Sequence, residues 1–124
     1  MKYTITKKTK TIDGIILHQI KAKETKNSIK KGELSGWIEK KENLSQSGNA
    51  WVSGNAQVSG DAWVSGNAQV SGDAQVSGDA RVSGDAWVSG DAWVFGDAWV
   101  SGDARVFSDT WVFGNARVFG GYIQ

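Results

Sequence analysis

The chain has no cysteine, no proline, one methionine and one histidine among its 124 residues. Without Cys there is no disulfide framework, no thiolate metal site and no thiol nucleophile. Without Pro, the turns must come from the 16 glycines together with Asp or Asn. No run of roughly eighteen apolar residues exists, and "MKYTITKKTK" lacks an apolar signal core. No membrane span or secretory signal is therefore expected, and a cytoplasmic location is the default expectation. His18 lies between Leu17 and Gln19 with no Ser–His–Asp set around it. Such a lone histidine reads as structural.

What the chain does have is divided unevenly. Residues 1–46 hold eleven Lys against five acidic residues, whereas 47–124 hold three Arg against eight Asp. The formal net charge of +1 hides a basic segment joined to an acidic one.

The acidic part is a repeat. From Ser47 the unit Ser-Gly-(Asp/Asn)-Ala-x-Val recurs twelve times to Val118, and "FGGYIQ" forms a degenerate thirteenth copy. Ala and Val stand two apart, so in an extended strand they share a side, while x points the other way. Gly at every sixth position would weaken a helix by about 1 kcal/mol each. The unit therefore reads as short strand, corner, short strand, with Gly taking positive φ at the corner. One hexad cannot bury its Ala/Val face alone, but stacked coils can.

Val-Ser-Gly-Asp-Ala-x resembles the hexapeptide repeat of left-handed parallel β-helices. The resemblance implies an all-β triangular solenoid with three hexads per coil, so 47–124 gives about four coils. At about 4.8 Å per coil the prism would be roughly 20 Å long. Residues 1–46 are expected to be a separate capping segment. There "KTKTIDGIILHQIKA" reads as a β-hairpin with Asp13-Gly14 as a type I′ turn. Trp37 and Leu44 are the expected plugs over the first Ala/Val layer. The stretch from Lys31-Gly32 through Gly36-Trp37-Ile38-Glu39, Asn43-Leu44-Ser45-Gln46 and Gly48-Asn49-Ala50-Trp51-Val52 resembles the lead-in of uncharacterised bacterial and phage-borne hexapeptide-repeat proteins. That implies a phage or prophage setting and the host cytosol.

Folding the sequence at eighteen sorts the x residues into three outward columns. They are Trp51, Gln69, Trp87, Arg105; then Gln57, Gln75, Trp93, Trp111; then Trp63, Arg81, Trp99, Arg117. The third alternates indole and guanidinium, which suits cation–π stacking or an interface. The Ser position becomes Phe95, Phe107, Phe113 and Phe119 toward the end, beside Trp93, Trp111 and Tyr122. So large an outward apolar patch implies a homo-oligomer, most simply a dimer through the C-terminal coils. In "FGGYIQ", Tyr122 would take the Ala slot and Gln124 the Val slot. The corners stack Asp73, Asp91, Asp109 on one edge and Asp61, Asp79, Asp97 on another. Like charges near 5 Å repel by roughly 0.8 kcal/mol even at water's dielectric, so the carboxylates serve either turn chemistry and solubility or a partner that uses the charge.

Trimeric acyltransferases share the implied fold, but theirs is a chemistry that needs a coil histidine, and His18 lies in the expected cap. No metal cluster, calcium-binding nonapeptide or phosphate-binding loop is present. The expected function is non-enzymatic, with no cofactor. A protein partner is expected, approached through the acidic corners and the Trp63, Arg81, Trp99 and Arg117 face. The concrete form is a decoy that occupies the basic groove of a nucleic-acid-binding bacterial defence protein. The alternative is a structural or receptor-binding module whose Trp columns stack on sugars. Direct nucleic-acid contact through the basic segment is a weaker signal, because its lysines lack interleaved aromatics.

Overall fold

A computed structural model describes residues 2–25 and 29–123. It opens on a hairpin of β1 (Tyr3–Ile12) and β2 (Ile15–Ala22). Asp13 and Gly14 both have positive φ, at 53° and 82°, as a type I′ turn requires. β3 (Leu34–Ile38) and a 3₁₀ turn (Lys41–Asn43) follow. Thereafter each hexad contributes one two-residue strand, beginning with β4 (Trp51–Val52), β5 (Gln57–Val58) and β6 (Trp63–Val64).

These short strands pair in parallel with the strands eighteen residues away, producing three sheets around one core. The result is an all-β parallel solenoid. Within it every Ala from 50 to 104 and every Val from 52 to 106 is buried, as the two-residue spacing requires. A coil of three hexads is thus the unit that hides the Ala/Val face.

The solenoid has about five turns, one more than the hexads suggest, because the lead-in builds a rung of its own. β3 lies parallel to β5 with Trp37 opposite Gln57 and Ile38 opposite Val58, and Leu44 bridges Val64. Leu44 is the inward plug that was expected. Trp37 is not: its register sets it in an outward column, where the hairpin covers it and Lys10 Nζ lies 4.3 Å over its ring. Ile38 fills the inward place instead. Asn43 holds the corner of this rung. Its Oδ1 accepts from the Glu39 and Lys40 amides, and its Nδ2 donates to the Gly60 and Ala62 carbonyls.

Corner conformation falls to the residue in the Gly position; the following Asp or Asn never takes positive φ among the described hexads. At the eleventh hexad Ser108 replaces Gly and still adopts φ 62°. The last corner corrects the sequence reading. Tyr122 pairs with Arg105 and Ile123 with Val106, so the coil is one residue shorter and Tyr122 occupies an x position. This register sets the aliphatic Ile123, rather than Gln124, opposite Val106. Gln124 lies outside the described residues.

Beside the strand ladders, the corner and strand-flanking hydrogen bonds run from one coil to the next. The Asn67, Gln69 and Ser71 amides donate to the Gly84, Ala86 and Val88 carbonyls one coil later, at 2.8–2.9 Å, and other coils repeat this. The corner and strand-flanking carbonyls of the first rung therefore need donors from outside the array. At the N-terminal end Lys2 Nζ donates to the carbonyls of Ala50 (2.6 Å), Ser47 (3.3 Å) and Gly48 (3.4 Å). Tyr3 is also buried there, its hydroxyl donating to the Leu44 carbonyl at 2.5 Å. Burial, with the Glu42 charge adding to it, pushes the Tyr3 phenol up to about 12. Toward the other end Ala116 is exposed, unlike the inward alanines of the preceding coils.

Candidate interaction surface

Four surfaces stand out on this frame: the carboxylate corners, the Trp/Arg columns, the aromatic end and one cleft. The corners come from the turn itself. Gly at positive φ aims the next side chain outward, so Asp61, Asp73, Asp79, Asp91, Asp97 and Asp109 are all exposed.

Three acidic columns begin on a donor. Asn55 Nδ2 donates to Asp73 at 3.2 Å, Asn67 Nδ2 to Asp85 at 3.1 Å, and Lys40 Nζ pairs with Asp61 at 2.6 Å. The Lys40 hydrogen bond and charge hold the Asp61 carboxyl below its ordinary value. Asp91 goes the other way. Partial desolvation raises it first, followed by the charges of Asp109 and Asp73 and a hydrogen bond with Asp109. Its folded form therefore keeps a proton to higher pH than the unfolded chain does. The resulting stability is present at low pH and is lost as pH rises through the raised folded value.

The expected Trp/Arg alternation is real. Arg81 lies between Trp63 (5.3 Å) and Trp99 (5.9 Å), and Arg117 lies 4.5 Å over Trp99. A further pair, Arg105 over Trp87 at 4.7 Å, sits in the first column and was not anticipated. Residues eighteen apart pointed to it, since 87 and 105 stack in the folded sequence. Trp51, expected outward, is only 4% exposed. The Tyr3 ring packs edge-on against it and its Nε1 donates to Ser35 Oγ at 2.9 Å.

Near the C-terminal end, Trp93 stacks on Trp111 (5.2 Å, 7°) and Phe95 on Phe113 (5.4 Å, 10°), with T-shaped contacts between the columns. Phe107 packs edge-on against Tyr122. Even so, Trp111 and Phe113 are each 57% exposed, Phe119 60% and Tyr122 75%. Mutual packing hides part of these rings and leaves the rest to solvent.

A cleft of about 470 Å³ opens where the first rung meets the second, lined by Lys41, Glu42, Asp61, Trp63 and Arg81 among others. Among the described residues, no group of three or more His, Cys, Asp or Glu is placed to hold a metal. Among the described residues, no helix is long and apolar enough to cross a membrane. His18 sits within β2, paired with Thr9 and Ile38.

The model of the YdcK beta solenoid repeat family matches residues 56–72 and 74–90. The two matches start eighteen residues apart, the length of one coil, and both lie in the regular middle of the array. The chain is a β-solenoid repeat protein. No curated protein matches it.

Proposed function

We propose that this solenoid is a non-enzymatic, protein-binding scaffold whose acidic corners occupy the basic groove of a nucleic-acid-binding protein. The behaviour of its own arginines carries this reading. Arg105 and Arg117 turn to indole faces and to the carbonyls of Asp85, Asp103, Asp97 and Asn115, and Arg81 to its two indoles. Among the described residues the one carboxylate–cation pair is Lys40–Asp61. The ladders through Asp73, Asp91 and Asp109, and through Asp79 and Asp97, thus keep their negative field for an outside cation. That field acts by its overall sign, as a duplex does toward a basic groove. A defence protein of a bacterial host fits the setting that the hexapeptide resemblance suggests.

The triple variant Asp73→Asn, Asp91→Asn, Asp109→Asn should fold, because Asn occupies the same corner at 49, 55, 67 and 115. It should lose most partner affinity and most of the salt dependence of binding. Pull-downs of host nucleic-acid-binding proteins in low and high salt, with duplex DNA as competitor, test this. Binding that neither salt nor the triple variant alters would remove the corners from the interface. Thermal melts from acidic to neutral pH give a second reading. The variant should lack the decline in stability that Asp91 causes as pH rises through its raised folded value.

The same reading includes self-association through the aromatic end. The outward rings are the contact: Trp111 and Phe113 of two copies, related by a two-fold axis. Light scattering at tens of micromolar, an ordinary working range, should show a dimer for the parent. Trp111→Gln with Phe113→Ser should be monomeric. A parent that is itself monodisperse and monomeric would end this part of the proposal.

The sugar-stacking alternative fares worse along the columns. Trp99 lies between Arg81 and Arg117, and Trp93 and Trp111 stack on each other, so no continuous column of free ring faces exists among the described residues. Stacking on a sugar needs a free face.

A further inference from the structure

Three arginines occupy equivalent x positions, and one behaves differently. Arg105 NH1 donates to the carbonyls two and twenty residues before it, Asp103 at 3.2 Å and Asp85 at 3.0 Å. Arg117 NH1 does the same with Asn115 at 3.0 Å and Asp97 at 2.8 Å. Arg81 has no hydrogen-bond acceptor among the described residues. It also sits farther from its indoles, at 5.3 and 5.9 Å against 4.7 and 4.5 Å for the other two. Its planar fork is therefore unspent, and it lines the 470 Å³ cleft.

Trp63 lines the same cleft and is 43% exposed. Its strand, β6, is the edge strand of its sheet. No ring precedes it in the column, because Asn43 is buried and turns its amide inward to Gly60 and Ala62. The indole is thus not stacked on both sides as Trp99 is between Arg81 and Arg117.

Charge narrows the ligand. Lys40 already pairs with Asp61, leaving Lys41 and Arg81 against Glu42 in the cleft. One surplus positive charge suits a monoanion, and Glu42 would repel a doubly charged phosphate. A guanidinium fork matches a carboxylate bidentately, and an indole matches the C–H face of a saturated ring. A carboxylate oxygen of Glu42 accepts hydrogen bonds from hydroxyls. The volume lies in the range of small-molecule clefts.

We propose that this cleft binds an acidic sugar unit, its carboxylate on Arg81, its ring against Trp63 and its hydroxyls on Glu42. This site is separate from the Asp73, Asp91 and Asp109 ladder, so either proposal can fail without the other.

NMR titration with D-glucuronic acid tests it, with methyl glucoside and acetate as partial ligands. Glucuronate should shift the Trp63 indole resonance and bind about tenfold tighter than either partial ligand, since each lacks one of the two contacts. Arg81→Gln and Trp63→Gln should each weaken glucuronate by about tenfold or more. Both replacements are tolerable, because Gln fills the x position at 57, 69 and 75. Arg81→Lys keeps the charge but not the fork and should also bind weakly. Acetate binding as tightly as glucuronate would reduce the cleft to an anion site and overturn the proposal. So would a silent Trp63 resonance, or full affinity in Arg81→Gln.

Discussion

Gly84→Ala should lower the melting temperature by roughly 10 °C, whereas Ser108→Gly should raise it by a few degrees. Gly84 has φ 64°, where an L side chain costs about 1–2 kcal/mol. Its new Cβ would also meet the Gly102 amide nitrogen at 2.8 Å and the Gly102 carbonyl oxygen at 3.2 Å. Both atoms belong to backbone that the rung hydrogen bonds hold in place, so the neighbour cannot yield cheaply. Overpacking of this kind adds about 1–3 kcal/mol. The strain falls mid-array, where each coil depends on both neighbours, and so it should spread rather than fray. Ser108 already carries the positive-φ cost, at φ 62°, and lies in the last part of the array. Replacing it with Gly removes that cost, although the added freedom of the unfolded chain offsets part of the gain. Melts of both variants beside the parent decide the matter. Equal and unchanged midpoints would mean that the corner stack is not what limits packing between coils.

The repeat made much of this architecture legible. Six-residue periodicity, an Ala–Val spacing of two and a mandatory Gly leave few alternatives to a parallel solenoid. The Asp13–Gly14 hairpin and the Trp63–Arg81–Trp99–Arg117 column were likewise readable. What could not be read depends on cover from distant segments or on a choice between registers. Trp51 is the same residue type at the same hexad position as Trp87, yet it is buried and Trp87 is exposed. Only the placement of Tyr3 and Ser35 over the first rung makes that difference. At the other end, Gly120–Gly121 permits either of two registers, and the shorter coil sets the aliphatic Ile123, not Gln124, opposite Val106.

The candidate surfaces divide in the same way. Which residues stack was evident from folding the sequence at eighteen, but which partners they choose was not. An arginine two residues from an aspartate suggests an ion pair, as with Arg105 beside Asp103. Instead, Arg105 takes the Asp103 carbonyl rather than its carboxylate. The strand directs the Arg along the column and over the preceding ring, while the turn sends the carboxylate outward at the corner. This separation leaves the ladders unneutralised. It also makes Arg81, which lacks even the carbonyl contacts, stand out.

Lys2→Met should be the most damaging single change outside the array. The first-rung carbonyls of Ser47, Gly48 and Ala50 take their donor from Lys2, and the Ala50 contact is buried. Lys2 is 5% exposed and donates to all three, most closely to Ala50 at 2.6 Å. Methionine keeps most of the length and apolar stem but supplies no donor. Leaving a buried acceptor unsatisfied costs about 1–3 kcal/mol, and hydrogen bonds from a charged donor contribute about 1.5–3 kcal/mol. The penalty of burying the ammonium itself is relieved at the same time, so the net loss should be about 2–3 kcal/mol rather than the sum. The damage should also be local. Amide exchange should quicken at Trp51 and Ser53, whose N–H groups bond the next coil, and remain slow near Trp87 and Ser89. Lys2→Arg, which retains donors, should recover part of the protection. If exchange quickened equally along the whole solenoid, or at neither end, Lys2 would not be the group that closes the first rung.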